Sequence, residues 1–219
     1  MPYSADKKTI HLKDAMDLPF SLACEKNKGP ILEVLLNVIL SSDRRALEIG
    51  SGSGQHVEYF APFFPQIEWF PTEIPKNFLR LTQWYDQTNI SNIQKPTRLD
   101  IAKDDFPKLK FDVVYTSNTL HVMHWKECKV FFKLLGNRLR EGSRAIFYGP
   151  FKYEGQFTSD NNALLDESLK RDDPLMGIRS FEDVQNNMIK NGFELLEDFD
   201  MPDHNQMLVF QRLKFEKRR

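Results

Sequence analysis

The sequence predicts an α/β protein built on a mostly parallel β-sheet with helices on both faces. Short apolar runs alternate with longer amphipathic segments along the 219 residues. Strands that alternate with helices in this way form parallel sheets covered on both sides. The last two apolar runs have no helix between them, so we expect an antiparallel pair at one edge of the sheet.

The first half of the chain predicts three helices and three strands. A helix over residues 30–41 is expected to begin at Pro30, because proline is favoured in the first turn, where its missing N–H costs no hydrogen bond. Residues 45–49 form a short apolar run closed by glycines, which is typical of a strand. The pattern then predicts a helix over 54–62, a strand over 67–71, a helix over 75–90 and a strand over 96–101.

The second half continues the alternation and adds an insertion. The run FDVVYT at 111–116 is the strongest strand signal, since it is rich in β-branched and aromatic residues. A polar, turn-rich insertion over about 150–178 is expected to act as a lid and to contain a helix over 161–170. The other predicted elements are a helix over 124–140, a strand over 144–149, a helix over 180–191, and strands over 193–199 and 207–213. Residues 1–29 are expected to form an arm over the mouth of the sheet, within a single domain spanning 1–219.

Composition disfavours several classes of protein. The net charge is −1, whereas proteins that bind a nucleic-acid backbone usually carry a basic surplus. The two cysteines, Cys24 and Cys128, form no CxxC pattern, which disfavours a disulfide framework or a thiolate metal site. The sequence shows no signal peptide and no apolar run long enough to span a bilayer. We therefore expect a cytoplasmic protein without a nucleic-acid or membrane partner.

The most informative stretch is ALEIGSGSGQH at residues 46–56. Gly50, Gly52 and Gly54 lie between a predicted strand and a predicted helix, where the backbone turns tightly and a ligand can approach the main chain. The spacing is GxGxG, and the dinucleotide fingerprint GxGxxG would require glycine at position 55, which is Gln55, or at position 57, which is Val57. A nicotinamide oxidoreductase is therefore disfavoured.

Carboxylates near this loop favour a cationic ligand. Glu48 lies two residues before the first glycine, and like unit charges about 4 Å apart repel by roughly 4 kcal/mol at an effective dielectric near 20. A pyrophosphate would be repelled there, whereas the ammonium and sulfonium of S-adenosylmethionine would be attracted. Glu73, at the end of the next strand, can accept hydrogen bonds from ribose hydroxyls. Asp100, at the following strand end, can accept from an adenine amino group, while Ile101 packs against the ring.

With these residues in place, the chain resembles the Rossmann-like class I methyltransferases and, more narrowly, the methyltransferase-like-26 family. The stretches that carry the narrower resemblance are ACEKNKGPILEVL, LEIGSGSGQH, SNTLHVMHW, YGPFKYEGQFTSDNN, DPLMGIRSFEDV and MPDHNQMLVF. Lys26 replaces a frequent arginine, Gly50 a frequent alanine and Glu73 a usual aspartate, and none of these departures removes a charge. The resemblance implies a seven-stranded sheet with an antiparallel last strand.

The resemblance also implies which residues contact S-adenosylmethionine. It assigns this role to Glu48, Gly50, Gly52, Gly54, Glu73, Asp100 and Ile101, with Ser117 and Asn118 beside the methionine part. His56 is expected to position the glycine loop. By resemblance, Asn27 and Lys28 close over the cofactor.

The acceptor of the methyl group is expected beyond the sulfonium, at the carboxyl ends of the fourth and fifth strands. His121 is the first choice for a general base or an acceptor-orienting group, because the unperturbed pKa of histidine lies near neutrality. A structural histidine bonded to a loop carbonyl is the alternative. Tyr148 either reaches the acceptor with its hydroxyl or belongs to the core.

Further acceptor contacts are predicted at His124, Phe151, Asn161 and Arg179. An inward-pointing Arg179 would favour an acceptor that carries a carboxylate or phosphate, whereas Phe151 is alternatively a packing residue. The pair His121 and His124 would need further ligands to hold a metal, so no metal is predicted. The leading hypothesis is a methyltransferase for a small molecule, because an aromatic-walled pocket under a lid suggests enclosure. A protein acceptor and a non-catalytic cofactor-binding module are the alternatives, and the oligomeric state stays open.

Overall fold

The computed structural model describes residues 20–214. In chain order the elements are α1 (Leu22–Val38), β1 (Arg45–Ile49), α2 (Gln55–Phe60), β2 (Glu68–Glu73), α3 (Phe78–Tyr85), β3 (Thr97–Arg98), β4 (Val113–Ser117), α4 (Trp125–Arg138), β5 (Arg144–Gly149), β6 (Phe151–Tyr153), β7 (Gln156–Phe157), α5 (Asp160–Asp172), β8 (Arg179–Ser180), α6 (Phe181–Lys190), β9 (Phe193–Met201) and β10 (Asn205–Arg212). None of the described helices has the length and apolar character needed to cross a membrane.

The central sheet has seven strands in the order β3-β2-β1-β4-β5-β10-β9. Strands β1 to β5 run parallel to their neighbours, while β10 runs antiparallel to both β5 and β9. The predicted fold class is thus confirmed, including the antiparallel last strand. The strand order reverses between β1 and β4, and open α/β sheets bind ligands at the carboxyl ends of the strands at such a point.

Alternate residues of the central strands face opposite sides of the sheet, as strand geometry requires. Ala46 and Val113 face a core formed with α1, α2 and α3. Leu47 and Val114 face a second core formed with α4 and α6. Both layers are buried, so the short apolar runs of the sequence are strands covered on two faces.

The prediction that the first helix opens at Pro30 was wrong. Helix α1 begins at Leu22, because Ser21 caps it: the Ser21 Oγ accepts the backbone N–H of Cys24 at 3.3 Å. Pro30 lies inside the helix, where it removes one backbone hydrogen bond. The predicted arm over 1–29 therefore includes the first half of α1, and its residues 1–19 lie outside the described part of the chain.

Several other elements differ in extent from the prediction. The third strand covers only Thr97–Arg98, so Asp100 lies in the loop that follows it. The segment predicted as an insertion contains α5, β6 and β7, and these two strands form a small three-stranded sheet with β8, in the order β7-β6-β8. These strands were not predicted, because runs of two or three residues are too short to establish a periodicity.

Candidate functional site

Two adjoining cavities, of about 330 and 260 Å³, lie at the carboxyl ends of β1, β2 and β4. Both are lined by Gly50, Asn77, Ser117 and Asn118. The larger one, here called the β3 cavity, is also lined by Ile49, Glu73, Ile74, Leu99, Asp100, Ile101, Ala102, Thr119, Val122, Met123 and Glu127. The smaller one, here called the α1 cavity, is also lined by Ser21, Ala23, Cys24, Ser51, Gly52, Ser53, His56 and Arg80.

The glycines between β1 and α2 serve different purposes. Gly52 has a φ of +57°, and a Cβ added there would meet no protein atom within 4 Å. Gly54 has a φ of +79°, and a Cβ added there would lie 2.2 Å from the Trp84 ring. Gly52 therefore keeps the floor of the α1 cavity open, whereas Gly54 allows Trp84 to pack against the loop and lines neither cavity.

Glu48 holds a buried carboxyl group, one oxygen of which lacks a hydrogen-bond partner in the described chain. Its side chain is 2% exposed, and its Oε2 accepts no hydrogen bond from any residue within 20–214. Burial raises the pKa of Glu48 to about 7; a hydrogen bond from Ser51 lowers it in part, and the charge of Glu73 raises it further. A buried carboxylate oxygen without a hydrogen-bond partner is costly, so this position favours a ligand with a cationic group.

Glu73 reaches back from the end of β2 to the glycine loop. Its Oε2 accepts the Gly52 N–H at 2.8 Å, and its Oε1 accepts the Ile74 N–H at 2.8 Å. The amide of Asn77 lies 3.5 Å from Oε1. Each carboxylate oxygen has two lone pairs, so Glu73 can still accept hydrogen bonds from a ligand in the β3 cavity.

Asp100 and Ile101 lie at the far end of the β3 cavity. Asp100 accepts the Ala102 N–H at 3.0 Å and the Lys103 ammonium at 2.7 Å. The hydrogen bond from Lys103 is the main cause that lowers the pKa of Asp100, so this carboxylate stays ionised near neutral pH. Ile101 adds an apolar surface that is 6% exposed.

Ser117 and Asn118 follow β4 and line both cavities. The Ser117 Oγ is buried and has no hydrogen-bond partner in the described chain. Asn118 has a left-handed backbone with a φ of +53°, and its N–H donates to the Tyr148 carbonyl at 2.9 Å. Among the predicted cofactor contacts, the structure thus brings all but Glu48 and Gly54 to the walls of the cavities.

His56 and Asn27 connect the α1 cavity to the first helix. The His56 Nε2 lies 2.7 Å from the Asn27 Oδ1, and burial lowers the pKa of His56 to about 4. Lys28 instead pairs with Glu25 and lies over the Tyr59 ring. Asn27 and His56 therefore fix α1 against the glycine loop, whereas Lys28 pairs within its own helix.

Tyr148, at the end of β5, is 4% exposed. Burial raises the pKa of Tyr148 to about 12, although a hydrogen bond from Asn27 lowers it in part. Its hydroxyl is therefore neutral near pH 7. In the sheet register Tyr148 pairs with Ser117, which places it next to the strand end that lines both cavities.

His121 lies in the loop that follows β4 and lines neither cavity. It is 8% exposed; burial, and secondarily the charge of Arg179, lowers its pKa to about 4. His124 lies elsewhere: it caps α4, and its Nε2 lies 2.7 Å from the Asp173 Oδ2. Among residues 20–214 no three histidine, cysteine or acidic side chains converge as a metal site would require.

The other predicted acceptor contacts also lie away from the two cavities. The Arg179 guanidinium donates to the backbone carbonyls of Leu120 at 3.0 Å, of Met123, and of Leu175 at 3.2 Å. It therefore does not point inward as an anion site would need. Phe151 is 2% exposed and belongs to the core beside α4 and α6, which agrees with its alternative packing role.

Asn161 is exposed in the first turn of α5. Its neighbour Asn162 is the buried residue, and the Asn162 amide donates to the Thr158 Oγ1 at 2.8 Å and to the His204 carbonyl at 3.0 Å. The insertion is thus joined to the turn between β9 and β10 by Asn162, and the role of Asn161 stays a prediction.

Several cavity residues were not predicted from the sequence. Ser21 and Cys24 line the α1 cavity because α1 starts earlier than predicted, and the Ser21 N–H donates to the Gln55 side chain at 2.5 Å. Asn77 and Arg80 come from the start of α3. The serine three residues before Cys24 was the available signal, since serine is a preferred helix cap.

The fold is that of the Rossmann-like methyltransferases, as solved structures with the same architecture indicate. An O-methyltransferase family 2 protein from Planctomyces limnophilus, in complex with apigenin, superposes with a TM-score of 0.74 at 18% identity, covering 88% of this chain and 60% of that one. An O-methyltransferase family protein from Burkholderia thailandensis gives 0.74 at 12% identity, with 86% and 57% covered. Human N-acetylserotonin methyltransferase, in complex with S-adenosylmethionine, gives 0.68 at 14% identity, with 88% and 58% covered.

This chain therefore spans a little over half the length of the solved proteins that it resembles. A family model described as "Protein of unknown function (DUF938)" matches residues 18–212. The chain belongs to this family.

Proposed function

We propose that the protein binds S-adenosylmethionine across the two cavities and transfers its methyl group to a small-molecule acceptor. The observation that carries the proposal is the buried Glu48 carboxyl group, whose Oε2 has no hydrogen-bond partner among residues 20–214, next to an open glycine loop. Burial is the main cause that raises its pKa, so a cationic partner at this position would stabilise the ionised carboxylate. The ligand proposed here brings an ammonium to that position.

The remaining cavity residues fit the other parts of this cofactor. Asp100 and Ile101 offer an ionised acceptor and an apolar wall to the adenine. Glu73 offers free lone pairs to ribose hydroxyls. Ser117, with its unpaired Oγ, and Asn118 lie between these ends, next to the expected sulfonium.

When bound, the cofactor supplies an electrophilic methyl group, so the protein mainly aligns the acceptor and excludes water. Tyr148 is neutral and adjacent to Ser117, and we assign it the role of hydrogen-bonding the acceptor. With a pKa of about 4, His121 is a weak base, and we interpret it as a group that holds the 118–121 loop. The acceptor contacts predicted at His124, Phe151, Asn161 and Arg179 remain unassigned.

The resemblances support the cofactor and a small acceptor. The human N-acetylserotonin methyltransferase structure holds S-adenosylmethionine, and the Planctomyces limnophilus protein holds apigenin. The motif resemblance to the methyltransferase-like-26 family supports the same reading of the glycine loop. We further propose that residues 1–219 form one catalytic domain that works in the cytoplasm.

Calorimetry with S-adenosylhomocysteine, the demethylated form of the cofactor, tests the binding site. Glu48→Ala and Glu73→Ala should each weaken binding at least tenfold, equivalent to about 1.4 kcal/mol. Glu68→Ala, at an exposed carboxylate on β2, is the matched control and should bind as the wild type does. Unchanged affinity in both Glu48 and Glu73 variants would contradict the proposal.

Transfer of a labelled methyl group into cell-extract fractions tests the reaction. We expect label in the small-molecule fraction. Label only in protein would indicate a polypeptide acceptor. Cofactor binding with label in neither fraction would indicate a non-catalytic binding module.

A further inference from the structure

Asn118 presents a free side-chain amide at the end of β4. Its backbone has a left-handed φ of +53°, and non-glycine residues held in that region cluster at functional sites. Its backbone N–H donates to the Tyr148 carbonyl, whereas its side-chain amide forms no hydrogen bond with any residue in the range 20–214. The amide therefore has an unused donor and an unused acceptor next to the expected sulfonium.

Gly149, the last residue of β5, leaves room beside this amide. The nearest atoms that a Cβ added at Gly149 would meet belong to Asn118, with the Oδ1 at 3.4 Å, which is an ordinary van der Waals distance. Because residue 149 has no side chain, a small group can lie against the Asn118 amide at the carboxyl end of β5.

Gln206 brings a second amide to the other side of Gly149. The two residues are partners in the antiparallel register of β5 and β10, and directly opposed residues carry their side chains on one face of the sheet, with Cβ positions about 4.5–5.5 Å apart. Gln206 is 6% exposed, and its Oε1 accepts no hydrogen bond within the described chain. A buried oxygen without a donor is costly, so this position favours a ligand that brings an N–H or O–H group.

The turn between β9 and β10 adds an acidic side chain to this edge of the sheet. Asp203 and His204 have left-handed φ values of +58° and +56°. The turn is held by the His204 carbonyl, which accepts from the Thr158 Oγ1 at 3.1 Å and from the Asn162 amide at 3.0 Å. Asp203 is exposed and forms no ion pair within residues 20–214. Its charge nevertheless reaches Tyr148, where it adds to the larger effect of burial in raising the pKa of the hydroxyl.

We propose that the acceptor is a small-molecule amine, whose nitrogen lies beside Gly149 between the amides of Asn118 and Gln206 and is the atom that receives the methyl group. This inference rests on the proposed function and specifies the class of its acceptor. A neutral primary amine has two N–H donors and one lone pair, so it can donate to both amide oxygens and still direct the lone pair at the methyl group. A hydroxyl has one donor and would leave one of the two oxygens without a partner.

The transfer balances with these groups. The lone pair of the amine forms the new N–C bond, while the S–C bond of the sulfonium breaks and its electron pair stays on sulfur, which leaves S-adenosylhomocysteine. The methylated nitrogen is then an ammonium, and it releases one N–H proton to water at the exposed turn. Asp203 favours a basic molecule at this position, because its charge attracts a cation.

Blocking the amines of the acceptor fraction tests the class of acceptor. The small-molecule fraction of a cell extract is acetylated with acetic anhydride and then treated with hydroxylamine, which cleaves the esters of hydroxyls but leaves the amides of amines. Transfer of a labelled methyl group from S-adenosylmethionine should be lost in this fraction and should persist in a mock-treated one. Transfer that survives the treatment would overturn the inference and leave the proposed function intact.

The Gln206→Met variant tests the site. Methionine has a similar length and cannot accept as an amide does, so the variant should unfold at the same urea concentration as the wild type or at a higher one. It should bind S-adenosylhomocysteine normally, while its rate of methyl transfer should fall by about tenfold or more. Gln206→Glu keeps an acceptor oxygen and should retain part of the rate. Gln211→Met, further along β10, is the matched control and should transfer the methyl group at the wild-type rate.

The outcomes separate this inference from the proposed function. A wild-type rate in Gln206→Met would overturn the inference, and so would a loss of S-adenosylhomocysteine affinity as large as the loss of rate, since that indicates a general disturbance. Label that enters only the protein fraction would also overturn it. A wild type that binds S-adenosylhomocysteine but labels neither fraction would overturn both the inference and the proposed reaction.

Discussion

The Nε2 of His56 lies 2.7 Å from the Oδ1 of Asn27, and this contact joins α1 to the helix that follows the glycine loop. An amide oxygen can only accept, so the His56 Nε2 carries the proton. The other ring nitrogen, Nδ1, faces the Tyr115 hydroxyl at 3.5 Å. Because all three side chains are buried, the position of α1 over the α1 cavity depends on a polar contact that water cannot replace.

Replacing Asn27 should therefore destabilise the protein. Asn27→Ala leaves the buried His56 N–H without a partner, which costs about 1–3 kcal/mol. Urea unfolding should show this loss as a lower midpoint. Asn37→Ala is the matched control, because Asn37 is exposed on the same helix and its amide bonds only to the Glu33 carbonyl. Equal losses in the two variants would show that the contact with His56 contributes nothing specific.

Some of this fold and site was predictable from sequence because the signal is local. The strand at 45–49 and the glycine loop after it are fixed by apolar patterning and by glycine's access to positive φ. The positions of Glu48 and Glu73 near the glycine loop follow from their places toward the ends of two neighbouring strands. Pro30 misled the prediction, because a favourable cap at Ser21 starts the helix earlier and the buried face of α1 compensates for the lost hydrogen bond.

Other features depended on packing that the sequence does not encode locally. Arg179 donates to a carbonyl of the loop after β4. The packing of the insertion on that loop decides whether the side chain faces these carbonyls or a pocket. Arg80 was missed for the same reason, since exposed arginines on a short helix carry no periodic signal. The burial of Asn162 rather than Asn161 depends on where α5 begins and on the position of His204.

Cofactor binding should weaken in acid. The pKa of Glu48 is raised to about 7, so below that pH its carboxyl group is protonated and must lose a proton before it can pair with a cation. The affinity for S-adenosylhomocysteine should therefore rise with pH through about 7 and fall up to tenfold per unit below it. Calorimetry at several pH values in buffers of different ionisation enthalpy measures both the affinity and the released proton.

Glu48→Gln supplies the control for this pH dependence. The amide cannot ionise, so the variant should bind weakly with an affinity that does not change through pH 7. Glu68→Gln, at the exposed first residue of β2, should keep the wild-type profile. A Glu48→Gln variant with the wild-type pH profile would assign the titration to another group.

Alanine substitutions at two loop glycines should have separable effects. Both positions have positive φ, so each change introduces backbone strain of about 1 kcal/mol. Gly54→Ala additionally drives a Cβ to within 2.2 Å of the Trp84 ring, and should lower the free energy of unfolding by 3 kcal/mol or more, roughly the cost of severe overpacking. Gly52→Ala meets no protein atom, so it should fold nearly as well but bind S-adenosylhomocysteine poorly.

Gly142→Ala separates the strain from the contact. Gly142 also has a positive φ, of +80°, and open space around it, but it lies far along the chain, after α4. In urea unfolding, the free energy of unfolding of Gly142→Ala should fall only by the cost of the backbone strain, and the variant should bind S-adenosylhomocysteine as the wild type does. A Gly54→Ala variant as stable as Gly142→Ala would contradict the packing role of Gly54.

Acid should destabilise the protein through its buried histidines. Burial lowers the pKa of His56 and of His121 to about 4 from an ordinary 6.5, so between these values the unfolded chain binds more protons. Their stabilising contribution is complete above pH 6.5 and is lost as the pH falls toward 4, at about 3 kcal/mol per histidine. Glu48 opposes this trend, because its raised pKa costs stability as the pH rises from 4.5 to about 7. Two histidines outweigh one carboxyl group, so stability should fall on acidification.

Urea unfolding across this pH range tests the role of His121. The free energy of unfolding of His121→Gln should depend less steeply on pH, by up to one proton, while His204→Gln, at an exposed ring, should follow the wild type. Parallel curves for wild type and His121→Gln would show that this histidine is not held neutral by the fold.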